Sequence, residues 1–171
     1  MSNPASMIVG KNRIYWNPPE FGESHTVIRR RNGLRDGVGQ TDGVAVELLP
    51  PKNDMTAPLD QWIFNTDQDI LPDWWNLKEG ELAARAELPA WLHAHAIVAD
   101  ISIDSGFWIV LKGSPTITVT AGDVWVYGEA TPMINQSGGY VQTWDYSKPT
   151  IDQSGGDVVI CGNLKPTINR K

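Results

Sequence analysis

The chain has 171 residues, 41% of them hydrophobic, which suits a packed core and excludes disorder throughout. A formal net charge of −6 excludes a broad electrostatic grip on nucleic acid, which needs clustered positive charge. One cysteine, Cys161, excludes an intrachain disulfide and fits a reducing compartment.

Taken in chain order, the start MSNPASMIVGKNRIYW has neither the basic region nor the apolar stretch of a signal peptide. No later run approaches the roughly 18 apolar residues of a membrane span. A cytoplasmic protein is therefore expected. The segments RIYW (13–16), HTVIRRR (25–31), GVAVELL (43–49) and QWIFN (61–65) read as strands, from their aromatic and β-branched content and, in HTVIRRR, a weak alternation. NGLRDGVGQTDG (32–43) carries Asn-Gly and Asp-Gly turn pairs, and PPKNDMTAPLD (50–60) is a proline-bounded loop. Residues 1–70 are thus predicted to form a small, mostly β module.

A helical connector is predicted over 71–97. Asn76 or Asp73 can cap it, Glu79 and Glu81 suit its first turns, and Leu77, Leu82, Leu88 and the alanines supply an apolar stripe. Pro89 should end or kink that helix, because it has no N–H to give. PAWLHAHA (89–96) would then begin a further turn or two.

From 98 to 171 the chain repeats itself. PTI stands at Pro115, Pro149 and Pro166 and the variant PMI at Pro132, each 17 residues from the next. Ile117, Ile134, Ile151 and Ile168 share a column, as do Gln136 and Gln153, and the turns AGD, SGGY and SGGD begin at Ala121, Ser137 and Ser154. Two architectures can carry such a repeat. A β-solenoid stacks each row as one coil; an antiparallel meander spends each row on two strands. Stacking gives the direct reason for like residues recurring, since an isoleucine over an isoleucine fills one continuous core. The predicted fold class is therefore mainly β (α+β): an N-terminal β module, one helical segment and a C-terminal solenoid of 17-residue coils.

Strand alternation assigns the faces. Val124, Val126, Val141, Thr143, Val158 and Ile160 are expected inward. Trp125, Tyr127, Gln142 and Trp144 are expected outward, with Trp108 in the Trp125 column. These five, with Arg29, Arg30 and Arg31 of the basic cluster RRRNGLR, are the candidate binding residues: exposed aromatics anchor partners, and guanidinium groups meet phosphates or acidic patches. The alternative is that the N-terminal module or a second subunit covers the aromatic face. The last coil is incomplete, so its edge invites another strand, and a homodimer is expected; Arg170 and Lys171 are charges that can blunt that edge.

No residue set reads as catalytic. His93 and His95 diverge by about 200° on a helix, so they are not a metal pair. Cys161 has no base beside it in the chain. Asp67, Asp69 and Asp73 lack the glycine and closing glutamate of an EF-hand and read as a solvated, helix-capping loop. DGVGQTDG has no Lys-Ser/Thr after it and is not a phosphate loop. Neither a metal nor a cofactor is expected.

The order of an N-terminal module, LPDWW (71–75), an alanine-rich helix ending in LPAWLHAHAIV (88–98) and short tandem β rows resembles small proteins encoded by bacteriophages and prophages. The resemblance covers Leu71 to Lys171. It implies a non-enzymatic interaction protein acting in the host cytoplasm on a host or phage protein, such as an inhibitor of a host defence protein of the anti-CRISPR kind. A structural or assembly component of a phage particle is the alternative. A sugar- or nucleotide-binding module, stacking its ligand on Trp125, Tyr127 and Trp144, is a third reading from the residues themselves.

Overall fold

The structure, a computed structural model, describes residues 5–37 and 41–171. The first four residues, and Val38, Gly39 and Gln40 of the glycine-rich turn, lie outside the described residues. The expectation of no leader thus rests in part on residues outside the structure's description, as does the middle of that turn. The chain divides into two compact units. The first holds the described residues up to Ala94 apart from Pro19–Gly22 and Asp54–Thr56; the second holds those two segments and His95–Lys171.

In the first unit, strands β1 (Ser6–Gly10), β2 (Ile14–Tyr15), β3 (Gly43–Leu49) and β4 (Ile63–Thr66) form an antiparallel sheet in the order β2-β1-β3-β4. β3 is central and buried from Gly43 to Leu48, which explains its near-continuous apolar run; Glu47 is the exception. Ile8, Ala45 and Ile28 make a buried cluster with Tyr15 and Leu34 packed against it.

The segment 25–31, expected as a strand, is helix α1 (His25–Arg31). Weak alternation over seven residues loses to three local and tertiary facts. Ile28 is fully buried against Ile8 and Ala45, and three arginines occupy the last turn, where the helix dipole favours cations. The Asn32-Gly33 pair, read as a turn, closes the helix. Gly33 (φ +63°) donates to the Arg30 carbonyl at 3.4 Å and Leu34 donates to the Arg29 carbonyl at 3.0 Å, the paired bonds of a Schellman cap.

Helix α2 (Leu77–His95) begins at Asn76, whose Oδ1 accepts from the Lys78 and Glu79 N–H groups at 3.0 and 3.2 Å. Asp73 does not cap it. The helix neither stops at Pro89 nor restarts there. Buried Ala84, Leu88 and Trp91, at i, i+4 and i+7, anchor it on both sides of the proline, whose ring is exposed. Leu77 and Leu82, expected in the apolar stripe, are 57% and 61% exposed. Trp91 meets Trp62 edge-on with ring centres 6.3 Å apart, and Arg85 Nη2 donates to the Trp62 carbonyl at 2.8 Å, docking α2 beside the entry to β4.

The second unit is a β-solenoid of about four coils. Its strands pair in parallel throughout, which settles the choice against a meander. One sheet orders β13 (Thr167–Arg170), β11 (Thr150–Gln153), β9 (Met133–Gln136), β7 (Thr116–Val119) and β5 (Ile101–Ile103). The other orders β12 (Asp157–Ile160), β10 (Tyr140–Thr143), β8 (Asp123–Val126) and β6 (Phe107–Val110). Ile117, Ile134 and Ile151 are in register, fully buried, and share one cluster with Val124, Val126 and Val141 of the other sheet. Burial of each such side chain contributes about 1.5–3 kcal/mol.

Polar side chains repeat with the coil. Gln136 Nε2 donates to the Gly139 carbonyl at 3.2 Å and Gln153 Nε2 to that of Gly156 at 2.8 Å, so each glutamine ties down its own turn. Thr120, Ser137 and Ser154 place their hydroxyls at 3.2–3.5 Å from carbonyls of the preceding coil. A Cβ on Gly138 would strike the Thr120 carbonyl oxygen, and one on Gly155 the Ser137 carbonyl oxygen. Backbone lies directly over backbone at this corner.

The first coil is one residue short. Ile101 pairs with Ile117, sixteen positions on, whereas Ile134 to Ile151 is seventeen. In the same step Trp108 pairs with Val124 and Ile109 with Trp125. Trp108 therefore does not stand in the Trp125 column. A one-residue offset turns it to the core side, where it packs against the buried cluster and donates from Nε1 to the Ser105 carbonyl at 3.0 Å.

Gly138→Ala should destabilise the protein by about 1–3 kcal/mol through this backbone clash, read from chemical denaturation, whereas alanine at Gly37, which has open space around it, should cost less. Ile134→Ala should cost about 2–5 kcal/mol, and the half-buried Ile168→Ala clearly less.

Candidate functional site

The outward face of the sheet β6-β8-β10-β12 and the residues that follow its strands carry Trp125, Tyr127 and Trp144, three of the four aromatic residues nominated from sequence; Trp108 faces the core. Trp125 meets Phe107 edge-on at 4.9 Å and Trp144 at 6.1 Å; Tyr127 and Trp144 stack at 5.7 Å with 7° between their planes. Each such pair contributes about 0.5–1.5 kcal/mol beyond area burial. Gln142 Oε1 accepts from Trp144 Nε1 at 3.0 Å. Tyr127 is fully buried, Gln142 is 7% exposed, and Trp125 and Trp144 are half-buried. These side chains point away from the solenoid core, yet their ring faces pack on one another and the Trp144 N–H is spent on Gln142.

Burial raises the Tyr127 phenol well above its usual range, with Asp145 adding to the effect. Its Oη has no hydrogen-bond partner among the described residues. Cys161 is exposed, one coil beyond Trp144, and desolvation raises its thiol, so the protonated form dominates near neutrality. That is the wrong direction for a nucleophile.

The three arginines do not form one patch. Arg29 is buried, donating from Nη2 to the Gly43 carbonyl at 3.2 Å and to Gln68 Oε1 at 2.7 Å, with Asp36 3.4 Å from its Nε. It ties α1 to the sheet. Arg30 and Arg31 are exposed, and Arg31 Nη1 lies 3.4 Å from Asn17 Oδ1. His93 is exposed on α2, whereas His95 is fully buried and lies 6.1 Å from the Phe107 ring.

The first unit holds a groove of about 1030 Å³ that did not emerge from the sequence. One wall is the β1–β2 turn, closed by the Gly10 N–H donating to the Arg13 carbonyl at 2.9 Å, and it presents Lys11 and Arg13. The other wall is the segment Ile70, Leu71, Pro72, Asp73 and Trp74. Ile70 and Leu71 are 62% and 44% exposed. The Lys11 ammonium lies 5.9 Å from the Trp74 ring centre, and the Arg13 guanidinium 5.1 Å from that of Tyr15. Trp74 is held edge-on by Trp75, whose ring lies directly over Gly80 of α2. Also lining the groove, Arg35 clasps Asp42 at 2.7 Å, and this hydrogen bonding lowers the Asp42 carboxyl to about 2.

The groove therefore combines cations, aromatic faces and exposed aliphatic groups, the equipment for binding. LPDWW was singled out from sequence, but its partners in the groove, Lys11 and Arg13, lie some sixty residues earlier, and only the hairpin geometry joins them. Among the described residues no helix is long and apolar enough to cross a membrane. No protein family, curated protein or solved structure matches the chain.

Tyr127→Phe should leave stability unchanged or raise it, because the variant removes a buried hydroxyl that costs about 1–3 kcal/mol when unpaired; loss of stability in urea unfolding would show a hidden partner. The Asp42 carboxyl should titrate near 2 by NMR, below its ordinary 3.8. The Arg35–Asp42 clasp is then fully present above about pH 4 and lost as pH falls through 2.

Proposed function

We propose that this is a non-enzymatic interaction protein that receives a segment of a partner protein in the groove between the β1–β2 turn and residues 70–74. The observation that carries the reading is the juxtaposition of exposed Ile70 and Leu71 and half-buried Trp74 with Lys11 and Arg13 on the facing wall. Exposed aliphatic groups beside an aromatic anchor mark contact surfaces, and the cations select a segment that alternates acidic with apolar side chains. The partner is a bacterial host protein and the effect is obstruction, as the resemblance of residues 71–171 to phage and prophage proteins implies. The carbohydrate-stacking alternative is disfavoured, since Tyr127 is buried and its ring is already stacked on Trp144.

Selection of random peptides by display on the immobilised protein tests this. Acidic–apolar sequences should be enriched, and their binding should weaken as salt rises. The double variants Ile70→Asp/Leu71→Asp and Lys11→Glu/Arg13→Glu should each weaken it by about tenfold or more, equivalent to about 1.4 kcal/mol. Enrichment of basic sequences, or equal binding by both variants and the parent, would overturn the proposal.

A further inference from the structure

Helix α2 has two apolar faces. One is buried through Ala84, Leu88 and Trp91, at i, i+4 and i+7. Opposite it on the helix lie Leu82, Ala86, Pro89 and Ala90, at i, i+4, i+7 and i+8, and all four are exposed. The solvent side of a helix is ordinarily polar. This one carries charge or polarity only at its two ends, where exposed Glu79 and His93 continue the same face.

The face is balanced about Ala86. Four residues before it stands Leu82 and four after it Ala90; seven before it stands Glu79 and seven after it His93. A second copy laid antiparallel across a two-fold axis at Ala86 sets methyl on methyl at the axis, so the helices can approach to about 8 Å. On each side of the axis the large Leu82 then covers the small Ala90 of the other copy. At each end the Glu79 carboxylate faces the other copy's His93 imidazole, whose N–H donates to it. Among the described residues neither of these two side chains has a hydrogen-bond or ion-pair partner within its own chain.

We propose that α2 pairs antiparallel with the α2 of a second copy of this chain, about a two-fold axis at Ala86. Opposite charges at equal distances from one residue are what a symmetric copy satisfies, since every contact is made twice. A lipid surface fits less well: interfacial helices are rich in lysine and arginine, whereas α2 has Glu79, Glu81 and Glu87 against Lys78 and Arg85. The expected homodimer is thereby assigned to the first unit and not to the edge strands of the last coil. It is independent of the groove beside residues 70–74. One helix pair buries less than the roughly 1,200 Å² of a standard interface, so the dimer is weak and reversible.

Sedimentation equilibrium of the full chain tests this, and should show a monomer–dimer equilibrium that shifts with concentration. Ala86→Glu changes an exposed position and leaves the buried face intact, and it should abolish the dimer. His93→Glu sets like charges together at both ends and should weaken it by about tenfold or more. Adding Glu79→Lys to that variant should restore it. Positions 79 and 93 of one helix are about 21 Å apart, so such rescue arises only between copies. In a Cys161→Ser background, Ala86→Cys should give a disulfide-linked dimer on mild oxidation, and Ala90→Cys, away from the axis, should not. A monomer at every concentration, a dimer unchanged by Ala86→Glu, no recovery on adding Glu79→Lys, or equal cross-linking at positions 86 and 90 would each overturn the proposal.

Discussion

The strands of the C-terminal unit pair in parallel with those of the coils directly before and after, and that constraint governs its chemistry. A residue in one coil has its counterpart for a neighbour, so its side chain must fit over a copy of its own position. Isoleucine over isoleucine meets this condition with a shared core, and glutamine or serine meets it by tying each turn to itself or to the coil beneath. The glycines at the corner meet it by leaving room for the carbonyl of the previous coil. The outward aromatics obey the same rule, since Tyr127 and Trp144 occupy successive coils and stack nearly parallel.

What could be read in advance follows from how far each signal reaches along the chain. The solenoid was legible because its period repeats within the sequence, and Ile134 and Ile151 are adjacent, as expected. The short first coil was not legible: shifting one residue leaves FWIV looking like VWVY, yet it sends Trp108 to the opposite face. Helix α1 was misread because seven residues carry too little periodicity to outweigh a buried Ile28 and a closing Asn32-Gly33 pair. Pro89 was given too much weight, since anchoring at Leu88 and Trp91 comes from tertiary packing that propensity does not encode.

The candidate sites divide along the same line. Tyr127 and Gln142 could be placed on the outward face by alternation, but their burial depends on neighbours distant in sequence. Arg29 looked like one of three surface cations and is a buried strut. The groove brings together residues with no shared motif, since Lys11 and Arg13 meet residues 70–74 only in the folded first unit.

Nearest-neighbour bonding has a consequence for how such a chain can change. A row of the second unit carries its own turn, its own glutamine tie and both of its strands, so duplicating one row inserts a finished storey and breaks no bond that the copy does not remake. Each storey adds about 4.8 Å of height. Length in the repeated rows is an adjustable ruler, set by copy number.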